Sequence, residues 1–370
     1  MDDAVRSSKM LEHYATVQEA ERLAAGVGEL ERVRTQDVLA RHLPKAPARI
    51  LDVGGAAGVH ALWLARQGYE VHLSDPVAKH VEQAKEASRA QAEFPIASCA
   101  VGDARKIEQK DASSDGVLML GPLYHLTERA DRLKALREAH RVMRNGGRLF
   151  AAAISRFASF MDGFSRDFVG DPRFVEILRQ DLKNGQHRNP TDNPHYFTST
   201  FFHHADELQN EIEEAGFTFE KVVAIEGPVW VMGNFSKHWD DPKKRSLLLE
   251  FLRTVEGERT LLGATAHMIG IGKKVRGRSE RGGKSDQKSS DRKSPGSKTA
   301  VEGPGPSSLL ADALKMTGFL FYAPPDRLDE PRVTSAREER STAARFRRRC
   351  CSGRCRHEAV HLSLPRRAAR

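Results

Sequence analysis

The sequence predicts an α/β fold, a doubly wound and mostly parallel sheet with helices on both faces, followed by a basic tail. Segments with strand and helix character alternate five times between residues 49 and 154, which favours parallel strands joined by helices. A glycine-rich turn follows the first of these strands. At Arg276 the composition changes abruptly to polar and basic residues, so a packed core is expected only before that point.

The elements up to residue 154 follow from apolar spacing and turn residues. Residues 11–43 have apolar positions at helical spacing, and Pro44 ends that run. Strands are expected at 49–53, 70–75, 96–101, 117–120 and 148–154. Helices are expected at 59–67 with Gly68 as C-cap, from Pro76 to about residue 92, and from an N-cap at Thr127 to the glycines after Asn145.

The second half of the domain has a different composition and no regular apolar spacing at its start. Residues 155–203 are rich in phenylalanine, with scattered histidine and tyrosine, and carry no clean period. They are predicted to form a lid over the substrate, and the alternative is that the aromatic residues form the core of an inserted helical pair. A helix at 204–215, a strand at 217–225, a helix at 243–255 and a strand at 265–272 complete the predicted fold.

Charge and composition also divide the chain near residue 275. Residues 1–275 hold 37 basic and 39 acidic side chains, a net of −2, whereas residues 276–370 hold 22 and 11, a net of +11. The sequence therefore predicts one domain over residues 1–275 and a disordered tail over 276–370, which reads like an out-of-frame or read-through extension. With no apolar run of 18 residues and Cys99 as the one cysteine before the tail, a cytoplasmic protein is expected.

The turn at residues 51–58, with the sequence LDVGGAAG, raises the question of which ligand it holds. A nicotinamide or flavin fingerprint needs glycines at the positions of Gly54, Ala56 and Val59, and two of the three fail. A looser turn of small residues, preceded by an acidic residue such as Asp52, fits Gly54 and Gly58. The dinucleotide interpretation is therefore poor, although the β-α-β unit is of the right kind.

Two further acids follow the second and third predicted strands. Asp75 ends the second strand, where a carboxylate can accept hydrogen bonds from both ribose hydroxyls, and Asp103 ends the third, where it can accept from an adenine amino group. Because parallel strands end at one edge of the sheet, these two acids and Asp52 are expected to face one crevice. A single acid in such a place is often only a helix N-cap, so the prediction depends on all three together.

With these residues in place, the sequence resembles the class I S-adenosylmethionine-dependent methyltransferases over roughly residues 10–275. It is most similar to bacterial small-molecule enzymes of the type 11 and type 25 kind. The segments that carry the resemblance are LDVGGAAG (51–58), VHLSDP (71–76), VGDA (101–104), LMLGPLYHL (118–126) and RNGGRLF (144–150). The resemblance implies a Rossmann-like sheet of seven strands, the last one reversed.

The resemblance also implies which residues hold S-adenosylmethionine. The methionine part is expected against the turn, at Gly54, Gly55, Ala56 and Gly58. The ribose is expected at Asp75, and the adenine at Asp103 with Ala104. Asp52, Pro76 and Leu120 complete the predicted set. Ala56 departs from the family pattern, which usually has glycine at that position.

Catalytic residues are sought after the fourth strand, because that loop faces the methyl group. His125 is predicted to act as a base or to orient the acceptor, and Tyr124 to line the site; the alternative is that both have structural roles. The loop lacks the Asn/Asp-Pro-Pro-Tyr/Phe sequence of enzymes that methylate nucleobase amines or glutamine, so those acceptors are not expected. No metal is predicted, because the histidines at 187, 195, 203 and 204 have no zinc spacing and Cys350, Cys351 and Cys355 with their histidines lie in the tail.

The predicted function is therefore transfer of a methyl group from S-adenosylmethionine to an oxygen, nitrogen or sulfur atom of a small molecule. Such a displacement needs mainly alignment and exclusion of water. Two other interpretations stay open. The basic tail could direct the domain to RNA, or the domain could bind the cofactor without catalysis.

Overall fold

The fold is built around one mixed sheet. The structure, a computed structural model, describes residues 19–191 and 193–276, so most of the predicted tail, with its cysteines, lies outside the described residues. The strands are β1 (Arg49–Val53), β2 (Glu70–Asp75), β3 (Ser98–Val101), β4 (Ser114–Met119), β5 (Met143–Ser155), β6 (Gln186–His187), β7 (Thr200–His203), β8 (Thr218–Ala224) and β9 (His267–Lys273). Every predicted strand is thus present, within a few residues of its predicted bounds.

Strand order follows the predicted topology. β3, β2, β1, β4 and β5 pair in parallel in that order. β9 runs antiparallel beside β5, and β8 pairs antiparallel with β9 on its other side. The reversed last strand is therefore confirmed. Two short strands were not predicted: β7 pairs with the end of β5, and β6 with β7.

Eleven α-helices lie within the described residues. They are α1 (Glu19–Arg22), α2 (Gly26–His42), α3 (Val59–Arg66), α4 (Ala78–Ala90), α5 (Pro122–His125), α6 (Arg129–Val142), α7 (Ala158–Ser165), α8 (Pro172–Asn184), α9 (Ala205–Glu214), α10 (Phe235–Trp239) and α11 (Pro242–Val255). Each helix in this part of the chain is too short or too polar to cross a membrane.

Two predicted helix starts are wrong. Pro76 is not the first residue of α4, because the carboxylate of Asp75 accepts a hydrogen bond from the backbone N of Val77 and α4 begins only at Ala78. Thr127 is not the N-cap of α6. Its carbonyl accepts a hydrogen bond from Nη1 of Arg132, and the cap position is taken by Glu128.

Both faces of the sheet are covered, as the sequence predicts. Val117 and Met119 of β4 pack into one buried apolar cluster, which includes Leu136 of α6. Leu118, between them in the chain, packs into the cluster on the other face, with Leu64 of α3. This alternation is the two-residue period of a strand buried on both sides.

The segment 155–203 forms a small cluster of its own, and some of its aromatic side chains are exposed. Phe174 and Tyr196 are buried together with neighbouring residues of α8. In contrast, Phe160 and Phe164 of α7 are 46% and 62% exposed, and their rings lie 5.3 Å apart. Part of the aromatic content is thus structural core, as in the second interpretation of this segment.

Helix α2 is held onto the domain by a buried arginine. Nε of Arg34 donates to the carbonyl of Ile225 at 3.2 Å, and Nη2 donates to Oε2 of Glu256 at 2.6 Å. Arg41, two turns further along α2, also donates to both carboxylate oxygens of Glu256. This arrangement fixes the face of α2 that carries Glu31 and Thr35.

Candidate functional site

A cavity of about 330 Å³ lies at the carboxyl edge of the parallel strands. One end is formed by the turn after β1 and by the acids after β2 and β3. The other end is formed by α2, by the loop after β4 and by the start of β9. Most of the exposed lining is apolar, as expected of a cavity for a small organic molecule. All predicted site residues except Gly58 line it.

Gly58 is the predicted site residue that lies outside the cavity lining. It is the N-cap residue of α3, with φ of +85°. Glycine adopts this left-handed conformation readily, whereas residues with a Cβ atom are strained there. Gly58 therefore serves the turn into α3 rather than the cavity wall.

The turn after β1 requires glycine where the chain approaches α5. Gly54 has φ of +74°, and a Cβ at this position would lie 2.7 Å from Cγ of Pro122. Its backbone N donates to the carbonyl of Ser74 at 2.7 Å, which joins the turn to β2. A Cβ at Gly55 would lie 2.7 Å from Oδ2 of Asp52. The backbone thus carries no side chain at Gly54 and Gly55, beside the cavity.

Asp75 is buried and is already oriented by the protein. Its Oδ2 accepts from the backbone N of Ala56 at 2.9 Å, and its Oδ1 accepts from the backbone N of Val77 at 2.9 Å. Nδ1 of His80 lies 3.2 Å from Oδ1. A carboxylate has about four acceptor directions, so Asp75 retains acceptor capacity for a ligand hydroxyl on the cavity side.

Asp52 is the buried acid whose charge is least compensated. It is 2% exposed, and its Oδ2 has no hydrogen-bond partner among the described residues. Burial, together with the nearby charge of Asp75, raises the pKa of Asp52 to about 7. Asp52 lines the cavity, and its uncompensated carboxylate suits a cationic ligand group, such as the ammonium of S-adenosylmethionine.

Asp103 lines the same end but is bonded to a neighbour. Arg105 donates to its carboxylate from the backbone N and from the guanidinium, at 2.7 to 3.2 Å, and also donates to Asp131 at 2.9 Å. The hydrogen bonds from Arg105 outweigh partial burial and lower the pKa of Asp103. Asp103 is therefore ionised and held in place, and an adenine amino group would share it with Arg105.

The loop after β4 brings Tyr124 and His125 to the cavity on the short helix α5. The hydroxyl of Tyr124 donates to the carbonyl of Leu120 at 3.0 Å. Its ring meets that of His125 edge-on, with centroids 4.6 Å apart. The hydroxyl of Tyr124 is thus directed to the backbone of its own loop, which favours a packing role for this residue.

Sequence reasoning missed the polar wall at the β9 end of the cavity. There Nδ1 of His267 lies 2.7 Å from Oε1 of Glu226 and 3.8 Å from Oε2 of Glu31. Oε2 of Glu226 accepts further hydrogen bonds from the backbone N of His267 and the hydroxyl of Thr265, both at 2.9 Å. Burial opposes protonation of His267, but Glu31 and Glu226 outweigh it and raise its pKa to about 9. His267 is thus an imidazolium at neutral pH.

Glu31, Glu226 and His267 could also supply three metal ligands, since their ligand atoms lie within 4.8 Å of one another. Each of these three side chains is already paired with a group of opposite charge. Arg22 donates to both carboxylate oxygens of Glu31, at 2.6 and 2.9 Å, and Glu226 is bonded as described above. The geometry is that of a hydrogen-bonded ion-pair network, so we assign no metal to it.

A signal for His267 was present in the sequence. The final predicted strand begins at residue 265, and a reversed last strand starts at the edge where the parallel strands end. The first residues of that strand are therefore delivered to the cavity. Glu31 carried no comparable signal, because its place depends on how α2 docks.

Comparisons with known proteins agree with this site. Residues 51–151 match the family model described as a methyltransferase domain. The chain is 31% identical over 121 residues to methyltransferase GfsG of Streptomyces halstedii, which is 32% of this chain and 42% of that protein. It is 29% identical over 162 residues to the ubiquinone/menaquinone biosynthesis C-methyltransferase UbiE of Acidiphilium cryptum, which is 43% of this chain and 64% of that protein.

The match thus spans less than two thirds of the length of either curated relative. Among solved structures, the chain is similar to an S-adenosylmethionine-dependent methyltransferase from Methanosarcina mazei, with a TM-score of 0.45 and 17% identity over 64% of this chain and 97% of that one. The family model matches the segment that builds the turn and its acids. Residues 51–151 therefore form a methyltransferase domain similar to those of the class I S-adenosylmethionine-dependent methyltransferases, which supports S-adenosylmethionine as the cofactor.

Proposed function

We propose that this protein transfers a methyl group from S-adenosylmethionine to an oxygen, nitrogen or sulfur atom of a small molecule. The observation that carries the proposal is the single cavity of about 330 Å³ that joins the glycine turn and its acids to a mostly apolar far end. Its volume lies at the low end of the range for small-molecule sites, of about 300 to 1,000 Å³.

In this proposal the turn end of the cavity holds the cofactor. Asp75 accepts from the ribose hydroxyls, Asp103 with Ala104 lies against the adenine, and Pro76 and Leu120 pack beside it. Asp52 faces the ammonium group, whose positive charge its orphaned oxygen would stabilise. S-adenosylmethionine supplies a methyl group that its sulfonium centre has already activated.

The chain's own residues would then act mainly by alignment. Gly54 and the ring of Pro122 set the position of the loop that carries Tyr124 and His125 beside the reacting centre. Apolar side chains such as Ile225 and Ile269 line the acceptor end and exclude water, which favours a displacement between two held groups. His125 would orient the acceptor or take its proton.

The segment 155–203 is proposed to cover the acceptor end. Ser199 lines the cavity, and the ring of Phe197 lies 6.4 Å from that of His125. The exposed rings of Phe160 and Phe164 lie in the same segment, on α7. UbiE is by name a C-methyltransferase, so a carbon acceptor is a further candidate beside oxygen, nitrogen and sulfur.

The test is calorimetric titration of the full chain with S-adenosylmethionine and with S-adenosylhomocysteine, followed by the same titrations of Asp75→Asn. We expect wild type to bind both and Asp75→Asn to bind at least about tenfold more weakly, because it loses a charge-assisted acceptor. Asp206→Asn is the matched control, since Asp206 lies on α9 outside the cavity lining. No binding by wild type would overturn the proposal, and equal binding by Asp75→Asn would overturn the ribose assignment alone.

Two other functions have their own discriminating results. The basic composition of the tail favours RNA association as a second candidate, and binding of the full chain to RNA that weakens steeply with salt would support it. A domain that binds S-adenosylmethionine but transfers no methyl group to any of a broad panel of acceptors would be a binding module. Release of S-adenosylhomocysteine in the presence of an acceptor would exclude a binding module without catalysis.

A further inference from the structure

We propose that His267, held by Glu226 and Glu31, binds the methyl acceptor through an acidic hydroxyl, so that the acceptor is a phenol or an enol. The inference deepens the proposed function and rests on it, because it assigns the acceptor to the end of the cavity that the cofactor leaves open. The juxtaposition that carries it is an imidazole fixed by two carboxylates in a mostly apolar wall.

Position is the first argument. In the order β3-β2-β1-β4-β5-β9, the strand that carries Asp75 and the strand that carries His267 are four strand spacings apart, about 19 Å. Both residues line the same cavity. If the cofactor lies against the turn and Asp75, the group beside His267 is the acceptor.

Orientation is the second argument. Glu226 is 1% exposed and holds Nδ1 of His267, while the backbone N of His267 also donates to Glu226. The carbonyl of His267 accepts from the backbone N of Ile225. With Nδ1 engaged, Nε2 is the ring nitrogen left to meet a molecule in the cavity. Glu226 thus fixes the imidazole through Nδ1, and the N–H at Nε2 is left to donate a hydrogen bond to a bound molecule.

Charge is the third argument. The charged and titratable groups that face His267 are Glu31 from α2, Arg22 from α1, Glu226 from the segment after β8 and Tyr124 from α5. The two carboxylates keep the ring protonated at neutral pH, and Arg22 compensates the charge of Glu31. The wall therefore presents an N–H donor with positive charge to the acceptor.

These features select the chemistry of the acceptor. A protonated amine has no acceptor to offer to the N–H of His267. An aliphatic alcohol would remain neutral beside it, because a single charge-assisted hydrogen bond of about 1.5–3 kcal/mol is too small to ionise it. The same interaction lowers the pKa of a phenol or an enol by about one to two units, which raises the population of the oxyanion near neutral pH, and its apolar remainder matches Leu23, Ile225 and Ile269 on the cavity wall.

The step balances as follows. The hydroxyl binds as R–O⁻ against the N–H of protonated His267, and one proton passes to solvent on binding. The oxyanion attacks the methyl carbon, so that the O–CH₃ bond forms while the CH₃–S⁺ bond breaks and its electron pair returns to sulfur. R–O–CH₃ and neutral S-adenosylhomocysteine result, and His267 keeps its proton throughout.

The probe for this site is para-nitrophenol, whose ionised and neutral forms differ in visible absorbance. The full chain is loaded with S-adenosylhomocysteine and titrated with para-nitrophenol below the pH at which the free phenol ionises. We expect the nitrophenolate band to appear on binding to wild type, and in His267→Gln we expect nitrophenolate affinity to fall about tenfold or more. His267→Lys, which restores a cation, should recover part of the band.

Two controls separate this site from a general loss of structure. Nitrobenzene has the same ring without the hydroxyl, and its affinity should be equal in wild type and His267→Gln. His238→Gln makes the same substitution on α10, outside the cavity lining, and should behave as wild type. A His267→Gln protein that also loses nitrobenzene has lost the shape of the cavity, and the comparison then passes to His267→Lys, where retained nitrobenzene binding without the band would overturn the proposal.

The outcomes distinguish this inference from the proposed function. If S-adenosylhomocysteine does not bind wild type, the proposed function fails. If it binds but para-nitrophenol does not, or binds without ionising, or ionises equally in His267→Gln, only the acceptor inference is overturned.

Discussion

The backbone N of Ala56 donates to Oδ2 of Asp75 at 2.9 Å, while Ala56 itself has φ of +46°. A non-glycine residue in this left-handed region costs roughly 1–2 kcal/mol. The hydrogen bond ties the turn after β1 to the acid after β2, so the strained residue also fixes an oxygen of the predicted ribose-binding carboxylate. The departure from the family's usual glycine is therefore accommodated by the fold.

Replacement of Ala56 by glycine should be tolerated. Release of the left-handed strain is offset in part by the greater freedom of glycine in the unfolded chain. We expect the free energy of unfolding of Ala56→Gly to equal that of wild type or exceed it by up to about 1 kcal/mol, with cofactor affinity retained. Denaturant unfolding and calorimetry check both expectations, and a large loss of stability would show that the methyl group of Ala56 has a packing role.

Gly54→Ala is the contrasting variant in the same turn. Its new Cβ would lie 2.7 Å from Cγ of Pro122, at a φ of +74°. Overpacking and backbone strain together are expected to lower the free energy of unfolding by about 2–4 kcal/mol. Equal stability of Gly54→Ala and wild type in denaturant would contradict the close approach of the turn to α5.

Cofactor binding should strengthen with pH through Asp52. The pKa of Asp52 in the ligand-free protein is raised to about 7, so the carboxylate is mostly protonated at about pH 6 and mostly ionised at about pH 8. A cationic cofactor favours the ionised form. The dissociation constant of S-adenosylmethionine is therefore expected to fall about tenfold across this range.

The control for this effect is Asp52→Asn, which has no charge to titrate. Its dissociation constant should lie near the weak, low-pH value of wild type and stay nearly constant over the same range. A wild-type constant that does not change with pH would show that Asp52 does not face the cationic part of the cofactor.

Stability should fall at alkaline pH because of His267. Its pKa in the folded protein, about 9, is above its ordinary value near 6.5. Its stabilising contribution is fully present below about pH 6.5 and is lost as the pH rises through about 9. We expect the melting temperature of wild type to decrease over this window, and that of His267→Gln to decrease less. Parallel curves for the two proteins would contradict the ion-pair network.

The attachment of α2 should depend on Glu256. This residue is 8% exposed and accepts hydrogen bonds from both Arg34 and Arg41. In Glu256→Gln the buried guanidinium of Arg34 keeps Asp37 but loses its hydrogen bond to a charged partner at Glu256, which is expected to lower the free energy of unfolding by about 1–3 kcal/mol. Glu250→Gln, on the exposed side of α11, is the control. Equal stability of the two variants would contradict a structural role for this ion pair.

How far the sequence predicts this protein depends on the range of the interactions involved. The strands and their parallel direction follow from local apolar patterns and from the alternation of strands and helices, and both were predicted; the reversed last strand was implied by the resemblance. The placement of Asp52, Asp75 and Asp103 at one edge follows in turn from parallel strands. These residues stand where each strand ends, so no tertiary detail was needed to bring them together.

The errors have local physical causes. Asp75 was predicted as a ligand-binding acid, but its carboxylate also caps the chain at Val77 and delays the start of α4. Gly58 belongs to the N-terminus of α3, because the turn needs a left-handed residue there. Side-chain to backbone hydrogen bonds of this kind are not visible in a pattern of apolar residues.

The polar wall at the β9 end of the cavity was missed for a different reason. Glu31 and His267 are separated by more than two hundred residues, and they meet only because Arg34 docks α2 and because β9 is inserted beside β5. Neither residue lies in a recognisable motif. Pairing of this range is set by the packing of whole elements, which a single sequence does not specify.

The insertion of β9 has a consequence for how such a protein can change. The matched family segment, residues 51–151, supplies the turn, the three acids and the loop after β4, whereas Leu23, Glu31, Ser199 and His267 come from stretches before and after it. In the proposed function, the residues that bind the cofactor thus lie inside the matched segment, and the wall that holds His267 lies outside it. We therefore expect substitutions in the flanking stretches to change the acceptor while binding of the cofactor is retained.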